Sequence, residues 1–100
     1  MVNAREVKDV HSIFVLVDTA PKEDIETMNR ILTIDEVKDV YVVSGQYDLL
    51  VVLELSVHGT AIFTSVQELA QRAVEKIRKI EGVRDTSTIV PFVWITKRVQ

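Results

Sequence analysis

Four consecutive residues, Gly45-Gln46-Tyr47-Asp48, and two later threonines, Thr86 and Thr88, are the places where this chain could grip a small polar ligand. Gly45 and its neighbour Gln46 form a break in an apolar run, and without a Cβ at Gly45 backbone N–H groups can approach a ligand closely. Asp48 offers a charged acceptor for a cationic donor. Tyr47 adds a ring wall and a hydroxyl; Thr86 and Thr88 add hydroxyls. This is binding chemistry rather than catalysis. The same residues also have a purely structural reading, in which Gly45 makes a turn, Tyr47 packs at an interface and Asp48 accepts backbone hydrogen bonds. Residue types alone leave both readings open.

Other chemistry is thinly provided. The chain has no Cys, hence no disulfide, no thiolate nucleophile and no cysteine metal site. His11 and His58 have no acidic cluster beside them, so no metal site is expected, and nothing calls for a cofactor. Glu23-Asp24 and Asp35-Glu36 read as solvated acids at helix ends. Lys76, Arg78 and Lys79 read as complements to a helix C-terminus rather than a nucleic-acid patch. Trp94 reads as a core or interface aromatic.

The elements that must position these groups follow from the pattern. With 100 residues, 47% hydrophobic and 27% charged, the chain is expected to form one packed domain. A net charge of −3 lacks the basic stripe that nucleic acid requires. No apolar run nears the roughly 18–20 residues of a membrane span, and the charged N-terminus lacks a signal-peptide core, so the default address is the cytoplasm. Residues 1–11 read as a polar lead-in, 12–97 as the domain and 98–100 as a tail. Ser12–Asp18 is β-rich. Thr19–Asp24 reads as a helix start with Pro21 in its first turn, and Ile25, Met28, Ile31 and Leu32 as the apolar stripe of about three turns. Val40–Val43 and Leu49–Leu55 then form a hairpin with a tight turn at Gly45-Gln46, Tyr47-Asp48 reopening the second strand. Ser56–Phe63 is the least regular stretch. The overlapping patterns Thr64-x-x-Gln67 and Ser65-x-x-Glu68 mark a helix start, and Val66, Leu69, Ala70, Ala73, Val74, Ile77 and Ile80 its stripe. Gly82 stands as its C-terminal cap. A last strand runs from about Val83 to Ile95, and Pro91 assigns it to an edge.

An internal repeat decides the fold class. Ile34-Asp35-Glu36-Val37-Lys38-Asp39 matches Ile80-Glu81-Gly82-Val83-Arg84-Asp85 in residue type at all but one position. Each copy joins a helix to the strand after it, so the chain is β-α-β twice over: a ferredoxin-like α+β fold with both helices on one face of a four-stranded antiparallel sheet. Ile13–Val17 and Leu49–Leu53 are apolar on both faces, and two helices cover only one. The other face is expected to meet a second copy of the chain; the alternative is cover from a loop or from Phe92-Val93-Trp94-Ile95.

At this point a family resemblance emerges. Val42-Val43-Ser44-Gly45-Gln46-Tyr47-Asp48-Leu49 with the apolar strand after it, and Ile80 through Thr88 with its glycine turn and threonine-bearing strand, resemble the effector-binding domain of the Lrp/AsnC transcription regulators. The resemblance covers roughly residues 12–95. It implies a ferredoxin-like, dimeric α+β barrel arrangement, often extended into octamers or rings, with amino-acid effectors at interfaces between dimers. On that footing Gly45, Gln46, Tyr47, Asp48, Thr86 and Thr88 are candidate ligand contacts, Asp48 for the ammonium and the N–H groups near Gly45 for the carboxylate. The segment before Ser12 is too short for the family's helix-turn-helix domain, so the chain resembles a stand-alone version without direct nucleic-acid or membrane partners. Ser56–Phe63 also departs from the pattern, being longer than the family's usual join. The expected function is a non-enzymatic, self-associating, amino-acid-binding regulatory module. The alternatives are a small dimeric α+β barrel enzyme, with His11 as its acid–base residue, and a pure assembly partner of full-length regulators.

Overall fold

The computed structural model describes residues 9–57 and 62–91. The order is β1 (Asp9–Thr19), α1 (Asp24–Ile31), β2 (Val37–Val42), β3 (Leu49–Val57), α2 (Ile62–Arg78) and β4 (Val83–Ile89). The strands form one antiparallel sheet in the order β2-β3-β1-β4, the ferredoxin-like plan that the repeat predicts. β4 is an edge strand, as Pro91 beyond its end suggests.

The repeat is a repeat of geometry. After α1, Ile34 N–H bonds to the Ile31 carbonyl and Val37 N–H to Ile34; after α2, Ile80 bonds to Ile77 and Val83 to Ile80 in the same way. Each turn then enters its strand through an irregularity, and Lys38 and Arg84, equivalent in the repeat, are the residues skipped by the pairing. The one mismatched position has a cause in each copy. Glu36 bonds the Lys76 ammonium at 2.9 Å, whereas Gly82 has φ +102° and lies against Thr27 of α1.

The period-2 alternation of the strands sorts their side chains. Ile13, Val15 and Val17 of β1 and Leu49, Val51 and Leu53 of β3 are fully buried on the helix-bearing face, with Ile31, Ala73 and Ile77 of the helices over them. The opposite face carries two apolar cross-strand rows. One runs Tyr41, Leu50, Leu16 and ends at Ser87; the next begins at Asp39 and runs Val52, Phe14, Ile89. Polar pairs, Asp18 with Asp85 and Ser12 with Glu54, border this block at either end. Tyr41 and Ile89 remain about half exposed.

Several sequence expectations need correction. α1 has 8 residues, roughly two turns rather than three, because Lys22 adopts φ +66° in a turn that includes Pro21 and delays the helix to Asp24. Its buried face is Thr27 and Ile31, continued by Ile34, while Ile25 and Leu32 of the expected stripe are 52% and 46% exposed. The connection between β2 and β3 spans residues 43–48 instead of a tight turn; Gly45 does take φ +118°, and Tyr47 and Asp48 lie in the loop, not in the strand. The backbone of α2 starts at Ile62, so Thr64 and Ser65 fall inside its first turn instead of capping it. The helix ends at Arg78, and Gly82 belongs to the following turn rather than to the cap itself. β1 starts at Asp9, inside the expected lead-in, and β4 ends at Ile89. Of the other expectations, those for residues 1–8, His58-Gly59 and Phe92–Ile95 lie outside the described residues.

Candidate functional site

Asp48 sits where the β2–β3 loop rejoins the sheet. Its backbone N–H bonds to the Val17 carbonyl, and its own carbonyl accepts from Val43, closing the loop. Its carboxylate reaches across to the end of β1: Oδ2 accepts the Thr19 backbone N–H at 2.9 Å and the Thr19 hydroxyl at 3.2 Å. The Thr19 N–H holds the Asp48 carboxyl below its ordinary range against the desolvation that opposes it. The nearby Arg84 charge acts in the same direction as Thr19. In the protomer, Asp48 thus performs the structural task of tying the loop to β1. Gly45 and Gln46 are exposed and Tyr47 half-buried, with open space where a Gly45 Cβ would stand.

Thr86 and Thr88 lie elsewhere. They pair with Val17 and Val15, whose side chains are in the core, so both threonines share the helix-bearing face. They close its apolar rows on the side of α2. The protomer therefore brings Gly45–Asp48 together at a loop and Thr86 with Thr88 at the α2–β4 edge, and does not merge the two sets.

Beside the threonines α2 and β4 enclose a groove of about 420 Å³. Its apolar part is Ala70, Val74 and Val90; Thr88 and the α2 residues Gln67, Gln71, Glu75 and Arg78 supply its polar part. The Arg78 Nε–H donates to the Thr86 hydroxyl at 3.0 Å, which fixes the guanidinium beside β4. Reading Arg78 as a helix-end charge missed this. The signal was present: residues 67, 71, 75 and 78 recur at helical spacing as a polar stripe alongside the apolar one.

Of the remaining candidates, Lys76 pairs with Glu36, and His11 stands in β1 opposite Leu55 with no partner at its buried Nε2 among the described residues. Among the described residues no group of three His, Asp or Glu side chains could hold a metal. No described helix is long and apolar enough to cross a membrane.

Residues 12–93 match the family model described as the Lrp/AsnC ligand binding domain. The chain belongs to the Lrp/AsnC ligand-binding-domain family. A crystal structure of protein PHS023 from Pyrococcus horikoshii is 35% identical, with a TM-score of 0.62 over 86% of this chain and 93% of that one. An HTH-type transcriptional regulator of Pyrococcus furiosus is 29% identical over 89 residues, 86% of this chain and 54% of that protein. The chain thus spans about half the length of the curated relatives it matches. A feast or famine regulatory protein of Mycobacterium tuberculosis, complexed with L-methionine, shares the fold at 23% identity and a TM-score of 0.62, covering 100% of this chain and 62% of that one. This Lrp/AsnC domain therefore has transcription regulators as its relatives, and its sheet order and helix placement are those of the family fold.

Proposed function

We propose that this Lrp/AsnC domain is a non-enzymatic regulatory module of the cytoplasm that binds a small amino-acid effector and self-associates through the open face of its sheet. Family membership carries the reading, and the L-methionine complex of the mycobacterial relative supports the ligand class. The apolar block of Phe14, Leu16, Leu50 and Val52, rimmed by polar pairs, has the anatomy of an interface between copies. The effector contacts come from Gly45, Gln46 and Tyr47 at the loop and from Thr86 and Thr88 at β4, with Asp48 holding the loop in place. Larger rings, and association with full-length regulators, extend the same surfaces.

A melting screen against the common amino acids tests this. A ligand that binds only the folded chain must raise the melting temperature, so at least one amino acid is expected to do so. In Asp48→Ala the apo protein should lose about 1–2 kcal/mol, because Thr19 is left with an unpaired backbone donor, while the ligand response survives. An unchanged apo protein with a lost response would instead place the effector's ammonium on Asp48. No rise with any amino acid would sink the effector reading.

A further inference from the structure

We infer that the free edge of β2, with the flank of α1 beside it, is a second self-association surface, where β2 of one copy pairs antiparallel with β2 of another about a two-fold axis at Tyr41. This surface is distinct from the open face and requires no effector.

The two edges of the sheet are built differently. β4 carries the exposed charges Arg84 and Asp85, a register irregularity at its start and Pro91 just past its end, all devices that discourage an added strand. β2 has its irregularity and its lysine, Lys38, at its start only. It continues as Val40-Tyr41-Val42 with no charge and, among the described residues, no strand beyond it. Exposed apolar surface gathers at this edge. Ile25 and Leu32 of α1 and Tyr41 and Val42 of β2 are all about half exposed, and among the described residues Ile89 is the one other large hydrophobic side chain so exposed.

The backbone fits a copy of itself. At one end of the β2–β3 ladder the Glu54 N–H donates to the Glu36 carbonyl, and at the other the Val43 N–H donates to the Asp48 carbonyl. Bonded pairs alternate along an antiparallel ladder, so counting in from either end Asp39 and Tyr41 are the residues that bond β3. The N–H and C=O groups of Val40 and Val42 therefore turn to the free edge. A two-fold axis at Tyr41 sets Val40 opposite Val42 of the second copy, donor to acceptor in both directions. The side chains of Val40 and Val42 lie opposite Val51 and Leu49, hence on the helix-bearing face, where Val40 and Met28 of α1 pack on the core. Each Val42 is thereby covered, and the Tyr41 rings meet as an aromatic pair on the other face. No like charges are opposed, since Asp39 faces Val43 of the second copy. Two short strands meeting edge to edge fall short of the roughly 1,200 Å² that a stable interface buries, so this contact joins copies already paired through the open face, with which it is continuous at Tyr41.

The chain has no Cys, so a single introduced cysteine can bond only to its own counterpart. Tyr41→Cys, at a half-exposed position, should give a disulfide-linked dimer under mild oxidation. Residues that meet in a non-hydrogen-bonded pair have Cα atoms about 4.5 Å apart, within the range a disulfide spans. Asp39→Cys, two residues from the axis, should not link. Val42→Pro removes an outward donor and leaves the pairing with β3 in place. The Tyr41→Cys/Val42→Pro chain should keep its circular dichroism and lose the link. Hydrogen exchange reads the same edge in wild type: the Val40 and Val42 amides should be protected in concentrated solution and lose that protection on dilution, while those of Asp39 and Tyr41 keep theirs. No link at residue 41, or fast exchange at Val40 and Val42 at every concentration, overturns the edge pairing. A link that persists with Val42→Pro also overturns it, and places the two residues 41 together across the open faces instead.

Discussion

Val51→Lys should leave the chain unfolded, while Val52→Lys, one residue on, should leave a folded monomer. Val51 is fully buried between Val15 and Val40 on the helix-bearing face. A lysine there loses the packing of the valine and brings an unpaired ammonium into the core, at several kcal/mol for the charge alone. Against a total stability of about 5–15 kcal/mol, that is enough to abolish the fold. Val52 points the other way, into the apolar block, with Phe14 on one side and Asp39 on the other. A lysine at 52 can reach water in the protomer and faces an acid across the strand pair, worth about 0.2–1 kcal/mol. It cannot be accommodated at the centre of a sheet-to-sheet contact. Circular dichroism should therefore show native structure for Val52→Lys and none for Val51→Lys, with sedimentation reporting a monomer for the former. A Val52→Lys chain that still assembles like wild type would remove the open face from the account.

The second large effect belongs to Gly82. Gly82→Ala should lower stability by about 2–6 kcal/mol, from two sources of about 1–3 kcal/mol each. A φ of +102° is one that residues with a Cβ resist. The new methyl would also overlap Thr27 Oγ1 and stand 3.3 Å from Thr27 Cβ. Thr27 is fully buried in α1 and has little room to give way. For a domain of this size each kcal/mol lowers the melting temperature by roughly 4–8 °C, so the loss is readily measured. Adding Thr27→Ala to Gly82→Ala should restore about 1–2 kcal/mol, because it removes the overlap and leaves the backbone strain. If the second change restores nothing, the close approach of α1 to this turn is not what requires glycine.

These residues also show how far the sequence could be read. The plan was legible because Ile34-Asp35-Glu36-Val37 and Ile80-Glu81-Gly82-Val83 repeat a local hydrogen-bonding pattern that their own residues dictate. The open face was legible because strand alternation is a local property, broken visibly at Phe14, Leu16, Leu50 and Val52. The rotation of α1 was not. Burial of Thr27 in place of Ile25 follows from how closely the helix approaches Gly82, and size rather than hydrophobicity selects the residue at such a crossing. The left-handed Lys22 carries no sequence signal either, since lysine is no usual occupant of that region. At the site, Gly45 announced its positive φ. The partner of Asp48 did not, because Thr19 lies 29 residues away and only the sheet brings them together. Arg78 does stand in the last turn of α2, where its reading as a helix-end charge puts it, but its bond to Thr86 was not legible because it exists only once β4 is docked.

Native mass spectrometry of the purified chain in an equimolar mixture of the common amino acids tests the central claim most directly, because it reads assembly and ligand in one spectrum. The account predicts dimers or larger assemblies at micromolar concentration that carry the added mass of an amino acid. A compact monomer with no added mass would contradict it.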